Sequence, residues 1–208
     1  MNIVRNKLFV FGGLIQKLVP CPDVFQVLDL ENLSWCKPRC KGDPIPSPRE
    51  SASSVTLVGG ILVYYGGSDG TQRLNDLHVF RSSDLSWRAV SVPGLGPGRS
   101  MHTAIACGSK MLVFGGWVTN SSPAPIVPCV CTNELLYIDC GLQLHFPPLA
   151  NCSLFPRYML DSFKVLPIPS TVEIPSPRAG HAATVVCYLL TNLWGKKAGK
   201  FEKSNSLG

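Results

Sequence analysis

The sequence predicts an all-β fold: a partial β-propeller of about three four-stranded antiparallel blades plus the first strand of a fourth. Three observations lead there. Paired glycines stand at 12/13, 66/67 and 115/116, which is 54 and then 49 residues apart. Each pair closes an apolar run rich in Val, Leu, Tyr and Phe, namely Lys7–Phe11, Ile61–Tyr65 and Lys110–Phe114. Trp35 and Trp87 follow at matching places, 52 residues apart. A repeat of about fifty residues built from strand-length runs marks one supersecondary unit used several times. Runs without polar alternation need cover on both faces, which stacked blades provide and an open sheet does not.

Taken in order, residues 1–47 read as a partial blade whose first strand is missing. Lys7–Phe11, Val24–Asp29 and the Trp35 segment are its strands. The stretch Lys41–Pro48, with three prolines and a glycine, suits a tether between blades. Residues 48–96 are a complete blade, with Ala52–Val58, Ile61–Tyr65, Leu74–Phe80 and the Trp87 strand. Its Ser68-Asp69-Gly70-Thr71 signals a tight turn, because Asp-Gly accepts positive backbone angles. Residues 97–140 repeat the blade with an incomplete outer strand, since no Trp-bearing strand follows Asp139. Between its second and third strands, 119–130 reads as a projecting loop, the kind of segment that carries binding. Residues 141–175 hold six prolines and no period, an irregular Pro-rich insertion. Residues 176–190 begin a further blade with its first strand, and 191–208 form a basic polar tail.

Bulk properties exclude several functions. The net charge is +6, but Lys196, Lys197, Lys200 and Lys203 against Glu202 place half of it in the tail. No basic stripe interleaved with aromatics remains, which argues against direct nucleic-acid binding. The nine cysteines are irregularly spaced and include no Cys-x-x-Cys pair, so no metal site is expected. The odd count and the absence of a leader point to reduced thiols, and no apolar run reaches membrane-spanning length. No nucleophile elbow, phosphate loop or catalytic triad is visible, so the expectation is a non-enzyme without cofactor.

The repeat singles out two kinds of residue. Gly12, Gly13, Trp35, Gly66, Gly67, Trp87, Gly115 and Gly116 are its structural markers. Arg49, Arg99 and Arg178 precede each blade's innermost strand and should crowd one rim of the central channel. Guanidinium groups there suit acidic peptide side chains, and they equally suit blade-to-blade ties through backbone carbonyls. His102 and His181 recur three residues on, a placement that favours a structural hydrogen bond over a catalytic base. The partner-binding set is Arg49, Glu50, Arg99, His102, Arg178 and His181. On this reading Arg99→Ala weakens a bound peptide without unfolding the domain. The open ends of an incomplete ring also predict self-association.

With these units set out, the chain resembles the Kelch repeats, β-propellers marked by a Gly-Gly pair and a late Trp. Asn6–Leu14, Pro48-Arg49-Glu50-Ser51, Lys110–Val118, Cys131–Leu135 and Pro177–His181 together resemble the Kelch domain of the host cell factor family. That resemblance implies a nuclear, and also cytoplasmic, transcriptional coregulator. Its propeller docks transcription factors bearing a short Asp/Glu-His-x-Tyr motif and scaffolds histone methyltransferase complexes. The alternatives are a Kelch substrate receptor of a ubiquitin ligase and a propeller oxidoreductase.

Overall fold

The computed structural model describes residues 1–16, 19–21, 24–42, 44–119, 129–145, 157–160, 162–168 and 174–184. Among these residues every regular element is a strand. Three four-stranded antiparallel sheets follow one another as blades. Blade 1 takes Asn2–Val4, Lys7–Phe11, Phe25–Asp29 and Trp35–Cys36 in spatial order. Blade 2 takes Ser53–Leu57, Ile61–Tyr65, Leu77–Arg81 and Ser86–Val90. Blade 3 takes Thr103–Cys107, Lys110–Phe114, Leu135–Asp139 and Lys164–Leu166.

Two expectations are corrected. Blade 1 does have a first strand: Asn2–Val4 pairs with Lys7–Phe11, Asn2 opposite Phe9. It is three residues long, too short to leave a periodic signal. Blade 3 also has its outer strand, which comes late. Lys164–Leu166 pairs with Leu135–Asp139, Val165 opposite Ile138, after a separate hairpin of Leu142–His145 and Arg157–Leu160. The stretch 141–175 therefore contains the fourth strand of blade 3 rather than being only an insertion. Val165 occupies the register of Trp87, and Phe163 is buried beside it in the core. Of the fourth unit, 176–184 is described and carries no strand; 185–190 and the tail lie outside the described residues.

Two cores lie in the seams. Between blades 1 and 2, Phe9, Val27, Leu62, Tyr64, Phe80 and Trp87 are buried together. Between blades 2 and 3 the core holds Val55, Val63, Leu77, Val79, Met111, Val113, Leu136 and Ile138. The tether after blade 1 covers an edge. Lys41 bridges Ser86 in parallel, and Trp87 N donates to Lys41 O at 2.8 Å, so blade 2's outer strand is not left unpaired there.

Candidate functional site

The site begins with the glycine pairs, because they hold one blade to the lead-in of the next. Gly13 N donates to Arg49 O at 2.9 Å, Gly67 N to Arg99 O at 2.8 Å, and Gly116 N to Arg178 O at 2.8 Å. The first glycine of each pair makes the approach possible. A Cβ on Gly66 would lie 2.7 Å from Arg99 O, and one on Gly115 2.6 Å from Arg178 O. Both sit at positive φ, +64° and +68°, where glycine is favoured. The three pairs therefore occupy equivalent surroundings, and a motif visible in sequence becomes a repeated clasp.

Past each arginine the chain makes one left-handed step, at Ser51 (φ 54°), Met101 (φ 55°) and Gly180 (φ 65°). These residues link the blades in series. Met101 N donates to Ser51 O at 3.1 Å, and Gly180 N to Met101 O at 2.9 Å. Non-glycine residues in this region carry a strain of roughly 1–2 kcal/mol, tolerated here because the ties on either side fix the backbone.

The arginine side chains turn back into their own blade. Arg49 grips Asp76 with both terminal nitrogens, at 2.5 and 2.9 Å, and donates to Gly66 O at 3.1 Å. Ser47 orients it, accepting from Nε at its carbonyl and from Nη2 at its hydroxyl. Burial works to raise the Asp76 pKa, but hydrogen bonds from His78 and Arg49, with the Arg49 charge, outweigh it and hold the carboxyl well below the usual range. Arg99 is 0% exposed, pairs with Glu134 and reaches toward Gly115 O at 3.5 Å. Arg178 departs from this pattern. It is exposed and oriented by Ser176 like Arg49 by Ser47, and it has no carboxylate partner among the described residues.

The histidines fasten the seam. His102 Nε2 lies 2.7 Å from Ser53 Oγ of the preceding blade, and His181 Nε2 lies 2.8 Å from Thr103 Oγ1. Burial, then the nearby Arg99 charge, pulls His102 down to about 3, so it is neutral near pH 7. His181 is lowered in the same direction by burial and by Arg178.

Of the six residues expected to bind a partner, the three arginines share one repeat position and the two histidines another, while Glu50 is matched by Ser100 and Ala179, and they stand in different states. Arg49, Arg99 and His102 are buried and engaged inside the fold. Glu50 and His181 are partly exposed, and Arg178 is exposed. Truncating Arg99 would leave Glu134 without its buried partner, so the expectation that Arg99→Ala leaves stability untouched is revised. Sequence reading assigned the arginines no acidic partners. The signal lay in Asn75-Asp76-Leu77 and Asn133-Glu134-Leu135, two matching acids immediately before each blade's third strand. Their side chains keep 39% and 41% exposure and face the rim's solvent.

Short hairpins flank the rim. Trp117–Thr119 pairs with both Arg99–Ser100 and Cys129–Cys131, giving the base of the projecting loop, whose tip at 120–128 lies outside the described residues. Ser68 bridges Arg73 around the turn at Asp69, as the Asp-Gly signal predicts. A cavity of about 520 Å³ sits instead at the opposite end of the blades, lined by residues including Arg5, Lys7, Gly60 and Ser82. Among the described residues no group of three or more His, Cys, Asp or Glu side chains could hold a metal, and no helix is long and apolar enough to cross a membrane.

Comparison with known proteins agrees with this architecture. The family model for the KLHDC2/KLHL20/DRC7 Kelch-repeats domain matches residues 1–191. The chain is 36% identical over 208 residues to human host cell factor 1, covering 89% of this chain and 9% of that protein. It is 31% identical over 207 residues to host cell factor of Drosophila melanogaster, covering 88% of this chain and 12% of that protein. It is also 34% identical over 206 residues to a probable serine/threonine-protein kinase of Dictyostelium discoideum, covering 93% of this chain and 15% of that protein. The chain thus spans only a small part of each of these relatives.

Proposed function

The chain belongs to the Kelch-repeat family, and on that premise we propose that it is a protein-interaction module that docks short acidic peptides on its arginine rim. The observation that carries this reading is Arg178. Two of the three rim guanidinium groups are neutralised within the fold, whereas the third is exposed, pre-oriented by Ser176 and free of a carboxylate among the described residues. A fixed guanidinium fork suits a carboxylate of a ligand. The part-exposed acids Asp76 and Glu134 suit a histidine in the same ligand.

That pairing of charges fits a segment of the form Asp/Glu-His-x-Tyr. Likeness to host cell factors supports a finer reading: transcription factors with such a motif as ligands, histone methyltransferase complexes as further partners, and a nuclear, chromatin-linked coregulator role. Passive recognition requires no catalytic group. The test is fluorescence anisotropy with a labelled Asp-His-x-Tyr peptide. Arg178→Ala should weaken binding about tenfold, the scale of one charge-assisted contact. Lys7→Ala, at the opposite end of blade 1, should leave it unchanged. Equal affinity for wild type and Arg178→Ala would remove the rim from consideration.

A further inference from the structure

The cavity of about 520 Å³ lies in the seam between blades 1 and 2, at the end away from the arginine rim. Three turns wall it. Arg5-Asn6 joins the first two strands of blade 1, Gly59-Gly60 does so in blade 2, and Ser82-Ser83 lies between that blade's last two strands. Val4 and Phe9 supply its apolar side. Two cations, Arg5 and Lys7, line the cavity, and no carboxylate does.

Neither charge is satisfied within the fold. Lys110 holds the repeat position of Lys7 in blade 3 and stands 3.9 Å from Asp139. Lys7 has Asp29 opposite it in the ladder, but that carboxylate accepts from Glu31 N at 2.9 Å. Asp84, the acid beside Ser83, is turned to Arg81 at 3.7 Å and to Ser86 Oγ at 2.7 Å. Arg5 and Lys7 are therefore exposed and without an ion pair among the described residues.

The backbone under Arg5 is unusual for the repeat. It sits at φ 54°, whereas Gly108 holds the matching place in blade 3 at φ 61°, and the blade 2 turn carries Gly59 and Gly60 at φ 80° and 71°. Arginine here keeps a strain that glycine would not. What it adds is a guanidinium on the cavity wall. Across from it, a Cβ on Gly60 would collide with Ser82 Oγ, so the glycine leaves that hydroxyl its place.

We propose that this cavity binds a phosphomonoester. Arg5, Lys7 and the hydroxyls of Ser82 and Ser83 hold its phosphoryl group, and its organic part lies along Val4 and Phe9. A phosphomonoester brings nearly two negative charges at pH 7 and three acceptor oxygens, which answer two cations and two hydroxyl donors. A carboxylate, with one charge, leaves one cation unanswered. The volume lies within the range of about 300–1,000 Å³ common to small-molecule sites, which exceeds what a bare ion fills. The site shares no residue with the arginine rim, so it and the peptide-docking role can fail separately.

The test is an NMR titration of 15N-labelled chain 1–208. Phenyl phosphate should bind saturably and shift the amides of Gly60, Ser82 and Ser83. Benzoate, which keeps the ring with a single charge, and inorganic phosphate, which lacks the ring, should each bind about tenfold more weakly. Arg5→Gly should weaken phenyl phosphate about tenfold, the scale of one charge-assisted contact, and keep its unfolding midpoint because glycine suits that φ. Should Arg5→Gly lower the urea midpoint, Lys7→Gln, exposed and outside the seam cores, carries the same expectation. Arg178→Ala should bind as wild type does. No binding by wild type, equal affinity for benzoate, or full affinity in the Arg5 or Lys7 variant would overturn the proposal. Inorganic phosphate binding as tightly as phenyl phosphate would overturn the place given to the organic part.

Discussion

The seam between blades 1 and 2 and the seam between blades 2 and 3 share their backbone ties and almost none of their side chains. At the first, Gly13 N meets Arg49 O at 2.9 Å; at the second, Gly67 N meets Arg99 O at 2.8 Å. The first is filled with rings: Trp87 stands 4.9 Å from Phe80, 5.2 Å from Tyr64 and 5.5 Å from Phe11, centroid to centroid. The second is mostly aliphatic, with Tyr65 and Phe163 as its buried rings and Val165 in the register of Trp87. The polar ties differ too. Asn2 bridges Ser54 and Thr56 across the first seam, at 2.7 and 3.1 Å, whereas His102 meets Ser53 across the second. The clasp thus sets how far apart the blades stand, and any apolar set of the right volume fills the gap.

The sharpest test of that division is to empty both seams at one register. Trp87→Ala should cost about 4 kcal/mol, the upper range for a buried aromatic. Val165→Ala should cost about 1 kcal/mol, because a partly buried valine removes little area from water. Equal losses in urea unfolding would mean that the aromatic seam is no more dependent on its central ring than the aliphatic one on its valine.

Acid should separate the seams next. His102 is depressed in the folded chain to about 3 from an ordinary value of 6.5, so below 6.5 only the unfolded chain takes up that proton. Its contribution is complete above pH 6.5 and is lost as pH falls toward 3, by up to about 1.4 kcal/mol per pH unit. His102→Gln should flatten the fall in unfolding free energy between roughly pH 6 and pH 4. Asn2, the amide at the first seam, does not titrate, so Asn2→Ala should leave the slope unchanged. Asp76, whose carboxyl is also depressed, adds its own loss only as pH drops below about 4.

The smallest effect concerns the backbone tie itself. Met101 is 45% exposed and held at φ 55°, so Met101→Gly should relieve strain without emptying a core. The added freedom of the unfolded chain offsets part of the gain, leaving about 0.5 kcal/mol. A loss in thermal unfolding would show that the Met101 side chain packs more than its exposure suggests.

Much of this was legible in the residues. The glycine pairs, the strands that they close, the recurring arginines and the late tryptophans all repeat in sequence, and each is a local demand: a positive angle, a close approach, a strand-length apolar run. Less legible were the pairs that form across long separations. Asp76 meets Arg49 from 27 residues away, and Glu134 meets Arg99 from 35. The outer strand of blade 3 carries no tryptophan to announce it and begins only at Lys164.

The amino-acid order by itself determined what one blade is, because pleat, turn and glycine geometry act within a few neighbouring residues. The tertiary structure alone decided which equivalent residues differ in fate. Trp35 and Trp87 carry the same signal, yet one is 55% exposed and the other 3%, since burial depends on whether another sheet stands against the face. Arg99 and Arg178 hold the same position of the repeat, yet one lies inside an ion pair and the other faces solvent, because the acid belongs to the blade and not to the arginine's own segment.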